Sequence, residues 1–252
     1  MKKAILLILL LTFTLSFIYA QELTILTEEF PPFNFVNENG EVDGLSTEIV
    51  KAMMKETGID YEIKVFPWKR SYTLTQQNPN TILYSTSRRP SREDLFKWVG
   101  ILSPSKYSVF ALKSRDNIKV NSLEDMKKYK IGTSQGDARE TYLKEKGLEH
   151  SFESVAGENA NTLNFKKLMG KRIDLWPMPD AVAYYLVKNE FNKDPKKVLK
   201  RVFPLEELSK GGYYIAVNKN TSDEIVNKLQ KALDKIKDNG TYDKILAKWG
   251  LK

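Results

Sequence analysis

The chain has 252 residues, 41% hydrophobic and 29% charged, with a formal charge of +8 and no cysteine. That length supports one large domain or two lobes of roughly 100 residues each, and the missing cysteines exclude disulfides, a thiolate metal site and a lipid carried on a cleavage-site cysteine. The lysines lie scattered among acidic neighbours (Lys127-Lys128, Lys196-Lys197, Lys228, Lys235) with no interleaved aromatic–basic face, so the charge reads as solvated surface and not as a nucleic-acid footprint.

Lys2 and Lys3 precede an apolar run over 4–19, broken only by Thr12, Thr14 and Ser16, and Ala20 is the small residue a cleavage point needs. The pattern predicts a cleaved secretory signal peptide over 1–20 and a mature start at Gln21. The run falls short of the ~20 residues of a spanning helix, and no second run of membrane length follows.

Residues 23–26 predict a short strand, and Thr27-Glu28-Glu29-Phe30-Pro31-Pro32-Phe33 a loop stiffened by two prolines between aromatics. After a turn at Asn37–Gly40, Ser46 is the expected N-cap of a helix whose apolar face is Ile49, Val50, Met53 and Met54, with Gly58 closing it. Residues 61–66 alternate as a strand, and Pro67-Trp68-Lys69-Arg70 opens a short helix. Trp68 reads as core or as a ligand platform, and Arg70 as surface or as a cleft charge.

The next stretch is the most informative. A strand over 81–84 continues into two hydroxyls, Ser85 and Ser87, and three arginines follow, Arg88, Arg89 and Arg92. Pro90 bars a long helix there. Hydroxyls at a strand end with a guanidinium a few residues on can grip a carboxylate, because Arg offers a planar fork of donors and Ser completes the shell. Arg88 and Arg89 read as solvated loop charges.

Residues 107–112 are the first candidate crossing strand, and Ser122 with Asp125 forms a capping-box-like start. A strand over 129–133 ends in Ser134-Gln135-Gly136-Asp137, ahead of a helix over 137–146 whose exposed N–H groups suit an anion. Asp137 there is placed either to cap that helix or to meet a ligand, and Arg139 could supply positive charge. A helix from Asn159 ends at Gly170, Arg172 to Trp176 follow, and Asp180 stands where an N-cap would for a helix over 181–187. His150 lies beside Glu149 in a polar loop with no metal-ligand spacing around it. Gly211-Gly212 precede the second crossing strand over 213–217, Thr221 to Glu224 reads as a capping box, and Ile225, Leu229, Ala232, Leu233 and Ile236 repeat at helical spacing. Asn239-Gly240 ends that helix, and Gly250 closes a last one. Strands alternating with helices argue an α/β architecture.

Several of these stretches resemble the family-3 extracellular solute-binding proteins, of the type serving amino-acid ABC transporters. They are the opening carried by Pro31, Pro32, Phe33, Phe35, Gly40, Gly44, Glu48 and Ile49; the segment Ser85, Ser87, Arg92, Trp98, Ser103 and Pro104; and the ending Asp238-Asn239-Gly240-Thr241-Tyr242 through Lys248-Trp249. The resemblance implies a bilobed periplasmic-binding-protein fold (type II), two α/β lobes joined by two crossing strands, with lobe 1 at 21–110 plus 213–252 and lobe 2 at 111–212. It implies that Arg92 holds a ligand carboxylate beside Ser85 and Ser87. It implies, too, that Phe30 stacks over the ligand, that amides at the helix after Gln135-Gly136 bind the carboxylate, and that Asp180 takes an amino group.

The chain departs from the family pattern at Glu48 (usually Asp), at Asp137 (usually Thr), in the turn at Asn78-Pro79-Asn80, and at Asp180, one residue late. The ligand site is therefore expected among Phe30, Trp68, Arg70, Ser85, Ser87, Arg92, Asp137, Arg139 and Asp180. The implied partners are a small amino-acid-like or organic anion and an inner-membrane ABC permease; the chain is expected to be a periplasmic monomer, without cofactor, metal or catalysis. Two alternatives share the fold: a ligand-presenting sensor for a membrane receptor, and a cyclohexadienyl-dehydratase-like enzyme with Glu28, Glu29 and Glu48 as acid/base candidates.

Overall fold

A computed structural model describes residues 22–157 and 159–249; the expected signal peptide and the Gly250 helix stop lie outside them. Two sheets organise the chain. The first runs in the order β4 (Tyr61–Val65), β1 (Leu23–Thr27), β5 (Thr81–Ser87), β12 (Tyr213–Asn218), β6 (Phe96–Ser103), with β1, β4 and β5 parallel and β12 antiparallel to both its neighbours. The second, three-stranded, runs β10 (Trp176–Pro179), β7 (Tyr107–Leu112), β11 (Leu199–Pro204). Two small pairs complete the set, β2 (Phe35–Val36) with β3 (Val42–Asp43), and β8 (Ile131–Ser134) with β9 (Phe152–Val155). The chain passes between the halves at 104–106 and again at 205–212.

Strand periodicity sends Ile25, Ile82 and Ile215 to one face of the first sheet, and Leu26, Leu83 and Ala216 to the other. Both faces are covered, so β5, at the centre, is buried along its whole length. Helix α1 (Leu45–Thr57) and the helix Asp223–Asp238 cover the first face; α2 (Trp68–Gln77) covers the second. In the second half, α3 (Ala138–Glu145), α4 (Ala160–Met169) and α5 (Asp180–Tyr185) surround the sheet and β8.

Three local expectations are corrected. Ser46 is not the cap of α1: the cap is Gly44, at φ 116°, where a Cβ would come within 2.6 Å of the Phe33 carbonyl oxygen, and Ser46 is buried inside the first turn. The cap of the helix Asp223–Asp238 is Ser222, whose Oγ accepts the Ile225 N–H at 3.4 Å, while Thr221 Oγ1 instead accepts the Asn80 N–H at 2.9 Å. At α5, Asp180 is the first helical residue behind Pro179 and makes no side-chain capping bond. The stripe Ile225, Leu229, Ala232, Leu233 and Ile236 is buried as its spacing predicts.

The first and last motifs meet. Glu48 Oε1 accepts from Trp249 Nε1 at 3.0 Å and from Lys248 Nζ at 2.6 Å, so the carboxylate of α1 anchors the last turn of the chain.

Candidate ligand-binding site between the two lobes

The carboxyl ends of β1, β4 and β5 lie at one edge of the first sheet, the place where open parallel sheets present ligand groups. Glu28 follows β1, Trp68 opens the helix after β4, and Ser85 and Ser87 belong to the end of β5. From the other lobe come Tyr107 at the start of β7, and Asp137 and Arg139 just after β8. Together with Phe30, Arg92 and Tyr213 these side chains line a small inner cavity of about 30 Å³.

Ser85 is placed by a β-bulge. Between the pairs Leu83–Ala216 and Thr86–Tyr214, two residues of β5 oppose Ile215 alone, and Ser85 takes a φ of 57°. A non-glycine residue in the left-handed region is costly, and the bulge turns the hydroxyl inward. Ser85 Oγ is buried with no hydrogen-bond partner in the protein. Ser87 Oγ shares a hydrogen bond of 3.2 Å with Tyr107 Oη, across the lobes.

Arg92 rises from the 3₁₀ turn Pro90–Leu95 and is 5% exposed. Its Nη1 donates to the Ser87 carbonyl at 3.3 Å, and its guanidinium carbon sits 5.0 Å from the Trp68 ring centroid and 5.2 Å from that of Tyr72. Among the described residues no carboxylate lies within ion-pair distance of it, and burial pushes its pKa down.

Arg139 is the opposite case. Its Nε donates to Asp137 Oδ2 at 2.6 Å, Nη2 donates to Asn161 Oδ1 at 3.1 Å and to Ser134 Oγ at 3.3 Å, and Nη1 reaches the Pro177 carbonyl and Met178 Sδ. The guanidinium is fully occupied by its own lobe. Asp137 also caps α3, its Oδ1 accepting the Arg139 and Glu140 N–H groups at 2.8 Å each, and the Gly136 N–H donates to Glu140. The α3 amides expected to bind a ligand carboxylate are thus satisfied internally.

Glu28 is half-buried as a residue, but its carboxyl faces the space between the lobes. Burial pushes it up to about 8, assisted by Asp137 and opposed by Arg139 and Arg92. Phe30 stacks on Phe33 at 5.5 Å and meets Tyr213 edge-on at 5.5 Å. Trp68 Nε1 donates to the Gly136 carbonyl at 3.0 Å, a second bond across the lobes.

Two expected site residues lie elsewhere. Arg70 is exposed, with its guanidinium carbon 4.0 Å from the Phe66 ring centroid, and borders an outer cavity of about 450 Å³ that shares Glu28 and Trp68 with the inner one. Asp180 faces a hinge-side pocket with Phe33, Pro104 and Ser105, and pairs with Arg201 at 2.9 Å. Of the loop arginines, Arg88 pairs with Glu93 at the surface, whereas Arg89 is not simply solvated: it donates to the Glu207 and Leu208 carbonyls at 2.7 and 2.6 Å. Glu29 and Glu48 are absent from the inner cavity wall; Glu29 accepts the Val36 N–H and Glu48 holds the C-terminal helix. Among the described residues no cluster of three His, Cys, Asp or Glu is arranged to hold a metal.

Sequence reasoning missed Tyr107 and Tyr213, and weighed Glu28 only as an acid or base. Each tyrosine opens the strand that follows a lobe crossing, and that position was the available signal.

A model of the bacterial extracellular solute-binding proteins, family 3, matches residues 23–252. The chain belongs to that family. An arginine-binding extracellular protein of Bacillus subtilis (strain 168) is 24% identical over 222 residues, 88% of this chain and 82% of the relative. A probable histidine-binding protein of Neisseria gonorrhoeae is 27% identical over 226 residues, 89% of this chain and 81% of the relative. Among solved structures, an ancestral arginine-binding protein bound to glutamine has a TM-score of 0.77 at 29% identity, covering 92% of this chain and 99% of that one. The inner cavity lies between the two lobes of this family member.

Proposed function

We propose that this family member is the periplasmic capture component of an ABC importer, closing its lobes on a small carboxylate-bearing solute and presenting the closed form to an inner-membrane permease. The observation that carries this reading is Arg92, buried beside the unpartnered Ser85 hydroxyl with no carboxylate among the described residues to pair with. An unpaired buried guanidinium costs several kcal/mol, and a bidentate carboxylate offsets that cost. The cross-lobe bonds of Trp68 and Ser87 form only when the jaws are shut, so ligand binding and closure favour each other. Export through a signal peptide cut after Ala20 and action as a monomer belong to the same reading, with the hinge at 104–106 and 205–212.

Isothermal titration against a panel of amino acids and organic acids tests it. Arg92→Ala is expected to weaken the best binder by 2 kcal/mol or more, on the order of 30-fold. Equal binding by the variant overturns the site. Turnover of prephenate or arogenate by the purified protein would favour the dehydratase-like alternative.

A further inference from the structure

Two hydroxyls in the wall of the inner cavity are left over. Ser85 Oγ is one, already set beside Arg92. The other is Tyr213 Oη: the residue is 1% exposed, and its hydroxyl is buried without a hydrogen-bond partner among the described residues. Tyr107 Oη lies close enough to raise the Tyr213 pKa but not in bonding geometry, and is itself shared with Ser87 Oγ at 3.2 Å. A buried polar atom left unpaired costs stability and is uncommon in a folded protein. Packing does not explain the hydroxyl, because a phenylalanine ring would fill the same aromatic slot.

That slot holds the ring still. Tyr213 opens β12 directly after the second lobe crossing, opposite Ser87 in the antiparallel pair, so both side chains stand on one face of the sheet. Gly212 precedes it at φ 145°, where a Cβ would come within 2.5 Å of the Ser103 carbonyl oxygen, so the strand approaches its neighbour this closely only with glycine there. The ring meets Phe33 at 4.8 Å, Phe30 at 5.5 Å and Tyr107 at 6.3 Å between centroids, each edge-on. Three aromatic neighbours thus fix the hydroxyl before any ligand arrives. Burial pushes the phenol pKa well above its usual value, so the group keeps its proton and is a donor.

Size links this hydroxyl to Arg92. The inner cavity, about 30 Å³, has room for about two water-sized groups, which is what the two oxygens of a carboxylate need. Arg92, Ser85 and Tyr213 all line that one small space, so a carboxylate that meets the first two also comes within reach of the third. We infer that Tyr213 is a third ligand-binding group, its Oη donating a hydrogen bond to the solute carboxylate held by Arg92 and Ser85. The inference rests on the carboxylate reading above and adds to it a contact from the strand that leaves the second crossing.

The test is titration calorimetry with the standard amino acids, acetate, lactate, succinate and citrate on wild type, Tyr213→Phe and Arg92→Ala, together with thermal unfolding of each protein without ligand. Tyr213→Phe removes one oxygen and keeps the ring. It is expected to weaken the tightest of these binders about tenfold, a loss of about 1.4 kcal/mol. The unfolding midpoint without ligand should stay at or above that of wild type, since the group removed is an unpartnered buried hydroxyl. Affinity unchanged in Tyr213→Phe but lost in Arg92→Ala overturns the inference and leaves the carboxylate reading standing, the hydroxyl then holding a water. A fall in both affinity and unliganded midpoint also overturns it, because the hydroxyl then serves the fold itself. Binding of none of these compounds, or binding indifferent to Arg92→Ala, overturns reading and inference together.

Discussion

Arg92 and Arg139 carry the same side chain, lie on opposite lobes and face one cavity, yet differ in what they offer a ligand. Arg139 is matched by a carboxylate two residues away and by four more acceptors of its own lobe. Arg92 is left with a carbonyl and two aromatic faces. A guanidinium recognises a solute only with the donors its protein has not already taken. Glu28 is the other informative residue. Its pKa is raised from 4.5 to about 8, so between those values the folded protein binds a proton that the unfolded chain has released. Stability therefore falls as pH rises through that window, and the group's destabilising effect is complete above the folded pKa. Glu28→Gln should flatten the fall, visible as a shallower dependence of the unfolding midpoint on pH. A slope unchanged in the variant would assign the dependence to other groups.

At the scale of the element, the first turn of α3 is the decisive piece. Its cap, Asp137, satisfies two amides and the Arg139 guanidinium together. Removing it strands a buried cation. Asp137→Ala is expected to cost about 3–5 kcal/mol in urea unfolding, and Asp137→Ala combined with Arg139→Met less than the sum of the two single changes. Additive losses would mean that the pair is not coupled. The cap at Ser222 is a simpler case, satisfying one amide at a solvated helix start, and Ser222→Ala should cost about 1 kcal/mol. Thr221→Ala should instead disturb the contact with Asn80, since that is what its hydroxyl holds.

For the whole molecule, the question is what keeps the jaws together. Trp68 to the Gly136 carbonyl and Ser87 to Tyr107 are single hydrogen bonds, each worth about 1 kcal/mol net. In the closure proposed above, such contacts bias an equilibrium that a ligand then completes. Trp68→Phe keeps the aromatic surface over Arg92 and removes the donor. It should retain the fold and weaken ligand affinity about fivefold. Small-angle scattering should show a larger radius of gyration than wild type at the same subsaturating ligand concentration; equal radii and affinities would mean that this bond has no part in closure.

Much of this was legible before folding was considered. The apolar stripe from Ile225 to Ile236, the glycine at 44, the proline-stiffened aromatics and the serine pair ahead of Arg92 are local patterns, and local patterns are dictated by helical and strand periodicity and by the backbone freedom of single residues. They were enough to place the chain in its family and to single out Phe30, Trp68, Ser85, Ser87 and Arg92 in the wall of the inner cavity, but not Tyr213, and they also pointed to Arg70, which lies outside it. The fates of Asp137, Arg139, Asp180 and Glu28 were not legible. Whether a carboxylate meets a ligand, caps a helix or pairs with a guanidinium depends on which groups the fold brings within 3 Å and how much water it leaves. Arg139 finds Pro177 and Met178 38 and 39 positions along the chain, and Asp180, at the start of α5, finds Arg201 on β11. The family was determined by the sequence alone; the charge left unpaired between the lobes was decided only by the tertiary structure, because hydrogen bonding and desolvation depend on neighbours in space.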